Sequence, residues 1–298
     1  MNISIVVPNR SDMRMKRMIQ SIDYFDTPEH RVEILIILNN ETPEIARMAR
    51  EIMEKNKKRF QIRIVKIKYS NFGVIYNTGI KESKYDNVMF IDTDIMCEKG
   101  SVKKVVDNME NNPEIMIVKA KLVYKGMDNL VERARFVNTT DVREPYIPII
   151  LIKKQLFFKL KDDYMFPVDT VWCADADFAY RALNENIKIA YNDAIFYHDR
   201  ISVKKDLKDA LMYGFGKGIR IKRTKEYWNP FSEMYVRYKS GKENKLSFAE
   251  NGYSMLWLFL QQITCMLQLF IPKVFKDSLP FEMSESIKNV KLECKENY

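Results

Sequence analysis

The sequence predicts an α/β fold: a doubly wound, mainly parallel sheet followed by a helical C-terminal extension. Two observations carry this reading. Short apolar runs of strand length alternate with stretches whose apolar residues recur at helical spacing, and polar loops rich in Asn and Asp stand where the strands end.

Residues 3–7 form a first strand stopped by Pro8, and Met15, Met18, Ile19 and Ile22 mark a helix over 12–24. Residues 32–38 form a second strand ending in Asn39 and Asn40, and Pro43 suits the first turn of a charged helix over 43–57. A third strand (62–67), a helix (74–81) and a fourth strand (88–91) complete a β-α-β-α-β-α-β order. That order places ligands at the C-terminal strand ends, where the loops at Pro8–Arg10, Asn39–Asn40, Ser70–Gly73 and Asp92–Asp94 converge. Beyond them come a helix over 100–111, a strand over 115–119 and a strand over 146–152 interrupted by Pro148, with a mixed polar excursion over 121–144. A helix over 175–184, a strand pair or turn-containing strand over 188–197, and a basic helix over 204–223 broken by Gly214, Gly216 and Gly218 follow.

With 298 residues, 46% hydrophobic and 30% charged, the chain has globular proportions and enough length for one full core. Its 49 basic and 40 acidic residues leave a charge of +9 spread along the sequence. Such a surface suits nucleic acid, anionic lipid or a phosphorylated substrate equally; without a nucleic-acid motif, no nucleic-acid partner is expected. Cys97, Cys173, Cys265 and Cys294 lie far apart, and the two histidines do not complete a zinc site with them. They read as reduced thiols of a cytoplasmic protein, and an N-terminus that enters a strand at once carries no signal-peptide pattern.

The chemistry concentrates after the fourth strand. Residues i and i+2 of a strand point the same way, so Asp92 and Asp94 offer two hard oxygen donors to one place. A divalent cation carrying a diphosphate suits such a pair. An Asp-rich turn is the simpler reading of the same residues, and their surroundings decide between the two.

Those surroundings resemble the family 2 glycosyltransferases of the GT-A fold. The matching pieces are Ile5-Val6-Val7-Pro8, the Asn39 loop, Asn71-x-Gly73 with Asn77-x-Gly79, Phe90 to Asp94, Trp172, Asp175-Ala176-Asp177-Phe178, Arg181, and Tyr197-His198. The resemblance implies a GT-A domain over 1–225, with a nucleotide-binding half (1–98) fused to an acceptor-binding half (99–225), and a C-terminal extension over 226–298. It implies inverting, metal-assisted transfer of a sugar from a nucleotide diphosphate donor, a UDP-sugar foremost, to a hydroxyl of a glycan or lipid-linked saccharide.

The same resemblance assigns roles. Pro8 and Arg10 lie where the family's first loop touches the nucleotide. Asn39 stands where many members place a base-bonding aspartate, and its amide offers both a donor and an acceptor. Asn71, Gly73 and Asn77 match the segment lining nucleotide and donor sugar. Asp92, with Thr93 beside it, would contact ribose and sugar, while Asp94 would hold Mn²⁺ or Mg²⁺. The family's Glu-Asp-x-Asp reads Ala174-Asp175-Ala176-Asp177 here, without the leading glutamate but with the aspartate that resembles the general base. Asp175 equally suits the cap or first turn of a helix, and the two roles coexist. Asp177 and Arg181, four residues apart, suit an ion pair on one helix face. His198 reads as a polar strand end or as a metal or diphosphate contact. Trp172 reads as an acceptor-stacking ring or as core. Acceptor choice would fall to the irregular segments 121–144 and 162–172.

From Tyr253 to Ile271 the chain carries no charge, and as a helix this run spans about 28 Å against a hydrocarbon core of about 30 Å. Ser254, Gln261, Cys265 and Gln268 give it a polar stripe, which leaves three readings: a helix on a membrane surface, a helix packed on protein (the catalytic domain or another subunit of a homo-oligomer), or a span. Lys239, Lys242 and Lys245 before it and Lys273 and Lys276 after it suit anionic headgroups. Residues 278–298 read as a loosely held polar tail. Two rival functions stand beside the transferase. A sugar-phosphate nucleotidyltransferase would want a Gly-rich loop after the first strand, which Pro8-Asn9-Arg10-Ser11 lacks. A catalytically silent nucleotide-sugar-binding scaffold is motivated by Asn39 and Ala174 and opposed by Asp92, Asp94 and Asp175.

Overall fold

The computed structural model describes residues 1–271 except 25, 26, 28, 69, 126–128, 140–143, 161–163 and 171. The tail at 278–298, Lys273, Lys276, Cys294 and parts of the two irregular segments lie outside the described residues.

Eight strands form one sheet: β1 (Ile3–Asn9), β2 (Val32–Asn39), β3 (Gln61–Ile67), β4 (Asn87–Phe90), β5 (Ile95–Cys97), β6 (Ile117–Tyr124), β7 (Ile150–Lys153) and β8 (Ile189–His198). Their spatial order is β3-β2-β1-β4-β7-β6-β8-β5. The first four are parallel as predicted, and the order turns around between β1 and β4, where an open α/β sheet forms its ligand crevice. β7 runs antiparallel to β4 and β6, so the second half of the sheet is mixed.

The apolar runs follow from burial on both faces. Ile3, Ile5 and Val7 of β1 and Ile34, Ile36 and Leu38 of β2 pack toward helices α1 (Met15–Ser21), α2 (Pro43–Asn56) and α4 (Ser101–Asn111). Val6, Leu35 and Ile37 face the other way, toward α3 (Phe72–Glu82) and α6 (Ala174–Asn184). Each such side chain contributes roughly 1.5–3 kcal/mol of burial.

Several expectations are corrected. The first helix is short, because Asp12 accepts from the Arg14 backbone and side chain and from Thr93, which holds 12–14 as a turn. The strand expected at 115–119 continues to Tyr124, and α5 (Leu130–Thr139) occupies much of the supposed polar excursion. Residues 146–149 are not strand: Ile149 has φ 63° and the carbonyls of Tyr146 and Pro148 turn inward to the Lys119 ammonium. The 188–197 segment is one strand, and its irregularity lies near Asn192, whose side chain accepts from the Ala194 N–H.

Helix α7 (Val203–Thr224) is continuous despite its glycines. Gly214 and Gly218 instead admit the neighbouring helix α9 (Phe248–Phe270): a β-carbon on Gly214 would lie 2.1 Å from the Gln261 carbonyl, and one on Gly218 2.8 Å from Gln268 Cβ. Gly216 does the same for Trp172, whose carbonyl would stand 2.3 Å from an added β-carbon. The polar stripe of α9 thus faces protein: Ser254, Cys265 and Gln268 are buried, while Leu256, Phe259, Met266 and Phe270 face outward. No described helix is long and apolar enough to cross a membrane, which overturns the spanning reading. Helix α8 (Pro230–Glu243) completes this layer.

Candidate active site

Strand β4 ends buried at the crevice, and the Ile91 N–H still donates to Val6 of β1, so Asp92 leaves the sheet at its centre. Three residues later β5 pairs antiparallel with β8, Ile95 against His198, and the Asp199 N–H donates to the Asp94 carbonyl. This register brings the His198 Nε2 within 3.5 Å of Asp94 Oδ2. His198 Nδ1 lies 2.6 Å from the Asp199 carbonyl, which only accepts, so Nδ1 donates there and fixes the ring with Nε2 toward Asp94. Tyr124 packs against the imidazole. One carboxylate and one imidazole nitrogen on the same side suit a divalent cation whose remaining positions are filled by phosphate oxygens. Among the described residues no cluster of three protein ligands occurs.

Asp92, Asp94, Lys119, Trp172, Asp175 and His198 line one cavity of about 890 Å³. Asp175 sits in the first turn of α6, but the cap position is Cys173, in the left-handed region at φ 66°. The cap alternative for Asp175 therefore reduces to that of a first-turn acid, whose Oδ1 accepts from the Ala176 N–H. Burial pushes its carboxyl up to about 6, against the lowering effect of that bond and of Lys119. Burial, with Asp94 and Asp175 nearby, pushes Asp92 up to about 8, and its Oδ1 finds no hydrogen-bond partner among the described residues.

Lys119 had no signal in the sequence beyond its place in an apolar strand. Its ammonium is held by the Tyr146 and Pro148 carbonyls, both at 2.7 Å, and burial lowers it to about 8 while Asp175 and Asp92 oppose that shift. Arg14 is a second omission: it pairs with Asp12 at 2.7 Å, lies 3.3 Å from Asp199 and reaches Asp94 at 3.6 Å, tying the first loop to the Asp94–His198 corner.

Trp172 apart, the other expected residues do not reach the wall of this cavity. Asn39 is buried, donating to the Ser70 carbonyl at 2.9 Å and accepting from its N–H at 2.8 Å. Asn71 caps α3 through the Val74 N–H and donates to the Val168 carbonyl. Asn77 holds both backbone groups of Phe166, and a β-carbon on Gly73 would meet the Pro167 carbonyl at 1.9 Å. These three residues of the α3 segment clamp the chain that leads to Asp175. Thr93 donates to Asp12 at 2.7 Å, Pro8 is buried within β1, and Arg10 is exposed beyond it. Trp172 meets Phe72 and Tyr213 edge-on at 5.1 and 5.8 Å while lining the cavity. Asp177 is fully buried between Arg181 at 2.8 Å and Arg223 at 3.1 Å, the ion pair expected and one more.

Comparisons with known proteins bear on the family and the fold. The family model described as glycosyl transferase family 2 matches residues 4–172, more than half of the chain. A curated relative from Methanococcus voltae, a dolichyl N-acetyl-α-D-glucosaminyl phosphate 3-β-D-2,3-diacetamido-2,3-dideoxy-β-D-glucuronosyltransferase, is 23% identical over 78% of this chain and 79% of its own. The mannosyltransferase PcManGT from Pyrobaculum calidifontis, solved with GDP-Man and Mn²⁺, superposes with a TM-score of 0.66 at 12% identity, covering 91% of this chain and 87% of that one. Residues 1–349 of Staphylococcus aureus TarS give a TM-score of 0.54 at 15% identity, over 97% and 89% of the two chains. Glucosyl-3-phosphoglycerate synthase from Mycobacterium tuberculosis, solved with Mn²⁺, UDP-Glc and phosphoglyceric acid, gives 0.54 at 15% identity, over 77% and 81%. A match that runs from the first strand through the aspartate pair to Trp172 makes this chain a member of glycosyl transferase family 2.

Proposed function

We propose that this glycosyltransferase inverts configuration while moving a sugar from a nucleotide diphosphate, a UDP-sugar foremost, to a hydroxyl of a lipid-linked saccharide. The observation that carries the proposal is the placement of Asp175: a carboxylate held near pH 6 by burial, in the same cavity as Asp92, Asp94 and His198. There it accepts the proton of the attacking hydroxyl, opposite the departing nucleotide. Asp94 and His198 would hold Mn²⁺ or Mg²⁺, which supplies Lewis-acid stabilisation of the leaving diphosphate when bound. Lys119 keeps its charge beside Asp92 and Asp175 and lowers the energy of their ionised forms. Asn39, Asn71, Gly73 and Asn77 support the donor side from behind through the backbone contacts above, and Thr93 does so through Asp12. Arg10, exposed at the first loop, is placed to meet the nucleotide, and Trp172 to meet the acceptor.

The donor reading is supported by neighbours of the same fold solved with UDP-GlcNAc and with UDP-Glc, the acceptor reading by the Methanococcus voltae relative. The outward face of α9, with Phe259 49% and Phe270 77% exposed, is assigned to an anionic membrane at its cytoplasmic side, flanked by the exposed Lys239, Lys242 and Lys245. Binding to anionic vesicles, lost with Phe259→Glu, supports that assignment; a vesicle-indifferent homo-oligomer that dissociates in the same variant opposes it.

A panel of nucleotide-sugars with Mn²⁺, assayed for nucleotide release by the wild type and by Asp94→Ala, tests the enzyme reading. Metal-dependent release from one donor, lost in Asp94→Ala, is expected. Release that persists unchanged in chelator overturns the metal assignment, and the absence of both binding and turnover on every donor overturns the proposal.

A further inference from the structure

The cavity continues well beyond Asp175, and its far end has a different chemistry. A row of aromatic rings leads away from the donor side: Phe72 to Trp172 at 5.1 Å, Trp172 to Tyr213 at 5.8 Å and Tyr213 to Trp257 at 5.8 Å. At its end two guanidinium groups share the Trp257 indole, Arg135 at 4.5 Å from the ring centroid and Arg237 at 5.9 Å. Both line the cavity, together with Val236 and Gln261 of α8 and α9.

The neighbouring charges are balanced within the fold. Lys217 pairs with Glu233, Arg220 with Glu226 at 2.6 Å, and Arg135 lies 3.5 Å from the buried Asp206, whose other oxygen accepts from Tyr253. Asp209 faces Arg135 and Lys205. Arg237 differs: among the described residues it pairs with no carboxylate, and its one hydrogen bond is to the Ser254 hydroxyl at 3.4 Å. Burial and the like charge of Arg135 lower it to about 10 against the weaker opposing effect of Glu233, which is itself paired with Lys217, so the fold disfavours this second cation. Two guanidiniums at one ring, one of them without an ion-pair partner among the described residues, line the same cavity and form a site for an anion. Guanidinium favours phosphate through paired N–H donors.

We propose that Arg237 and Arg135 form a phosphate subsite for the acceptor, taking its phosphoester group while Trp172 and Tyr213 carry the saccharide between that group and Asp175. The assignment rests on the transferase reading above for its direction, acceptor hydroxyl at Asp175 and phosphoester at Arg237. It makes a phosphate-linked saccharide the substrate class, with the lipid leaving beside Val236 toward the exposed apolar face of α8 and α9.

The test is calorimetric titration of the full chain with decyl phosphate, decyl glucoside and inorganic phosphate, each below its aggregation concentration, with nucleotide release measured in parallel. Decyl phosphate should bind the wild type about tenfold or more tightly than decyl glucoside, and Arg237→Met should lose that preference by about tenfold. Arg237→Lys should retain most of it, and this variant keeps the test open if Arg237→Met fails to fold. Asp94→Ala should bind decyl phosphate as the wild type does, because its lesion lies at the metal corner. Equal binding of decyl phosphate and decyl glucoside, or undiminished phosphate binding by a folded Arg237→Met, overturns the subsite. Inorganic phosphate binding as tightly as decyl phosphate overturns the ester assignment. Arg237-dependent binding without nucleotide release from any donor keeps the subsite and refutes the transferase reading; release without it does the reverse.

Discussion

The rim of the crevice and its centre use the same kinds of side chain in opposite ways. At the rim, Asn39, Asn71, Asn77 and Thr93 have their hydrogen-bonding groups engaged by Ser70, Val74, Val168, Phe166 and Asp12. At the centre, Asp92 Oδ1 has no partner among the described residues, Asp175 accepts from the local N–H groups of its own helix turn, and His198 turns Nε2 toward Asp94. A polar group satisfied inside the fold holds shape; one left with capacity in a cavity is available for chemistry. The motif residues at both places were equally visible in the sequence, and only their partners separate them.

The contrast breaks most sharply at Asp175. Asp175→Asn keeps the size and the bond from Ala176 but removes the proposed proton acceptor, so kcat should fall about 10²–10⁴-fold with thermal stability unchanged. Asp94→Ala, or chelation of the wild type, should lower turnover by about a hundredfold, read as metal-dependent nucleotide release. Next comes the pH profile. As the proposed base Asp175 would work ionised, and burial pushes it up to about 6, so kcat should fall as pH drops through about 6. Lys119 lowers the Asp175 carboxyl, so Lys119→Met should move this acid limb to higher pH; a limb that stays in place would remove Lys119 from the site. The smallest effect belongs to the rim: Asn77→Ala leaves the Phe166 backbone without its partners, costing about 1–3 kcal/mol of stability, while turnover per folded molecule stays near wild type.

The first four strands and their loops were legible because burial on both faces writes continuous apolar runs into a sequence. Lys119 was not, since nothing local distinguishes a lysine that ends a strand from one buried against two distant carbonyls. Helix α7 was misread as broken because glycine weakens a helix in isolation, whereas here Gly214 and Gly218 make room for α9. The polar stripe of α9 was seen, but its direction, inward against α7, belongs to packing and leaves no local trace. Arg14, placed before α1, acquires its role only when β8 brings Asp199 beside it.

One paired measurement tests the division most directly: melting temperature and single-turnover rate for Asp175→Asn and Asn77→Ala, side by side with the wild type. The account predicts a crossed result, with Asp175→Asn as stable as the wild type but nearly inactive, and Asn77→Ala less stable but chemically competent. An active Asp175→Asn, or an Asn77→Ala that loses its chemistry while keeping its melting temperature, would contradict it.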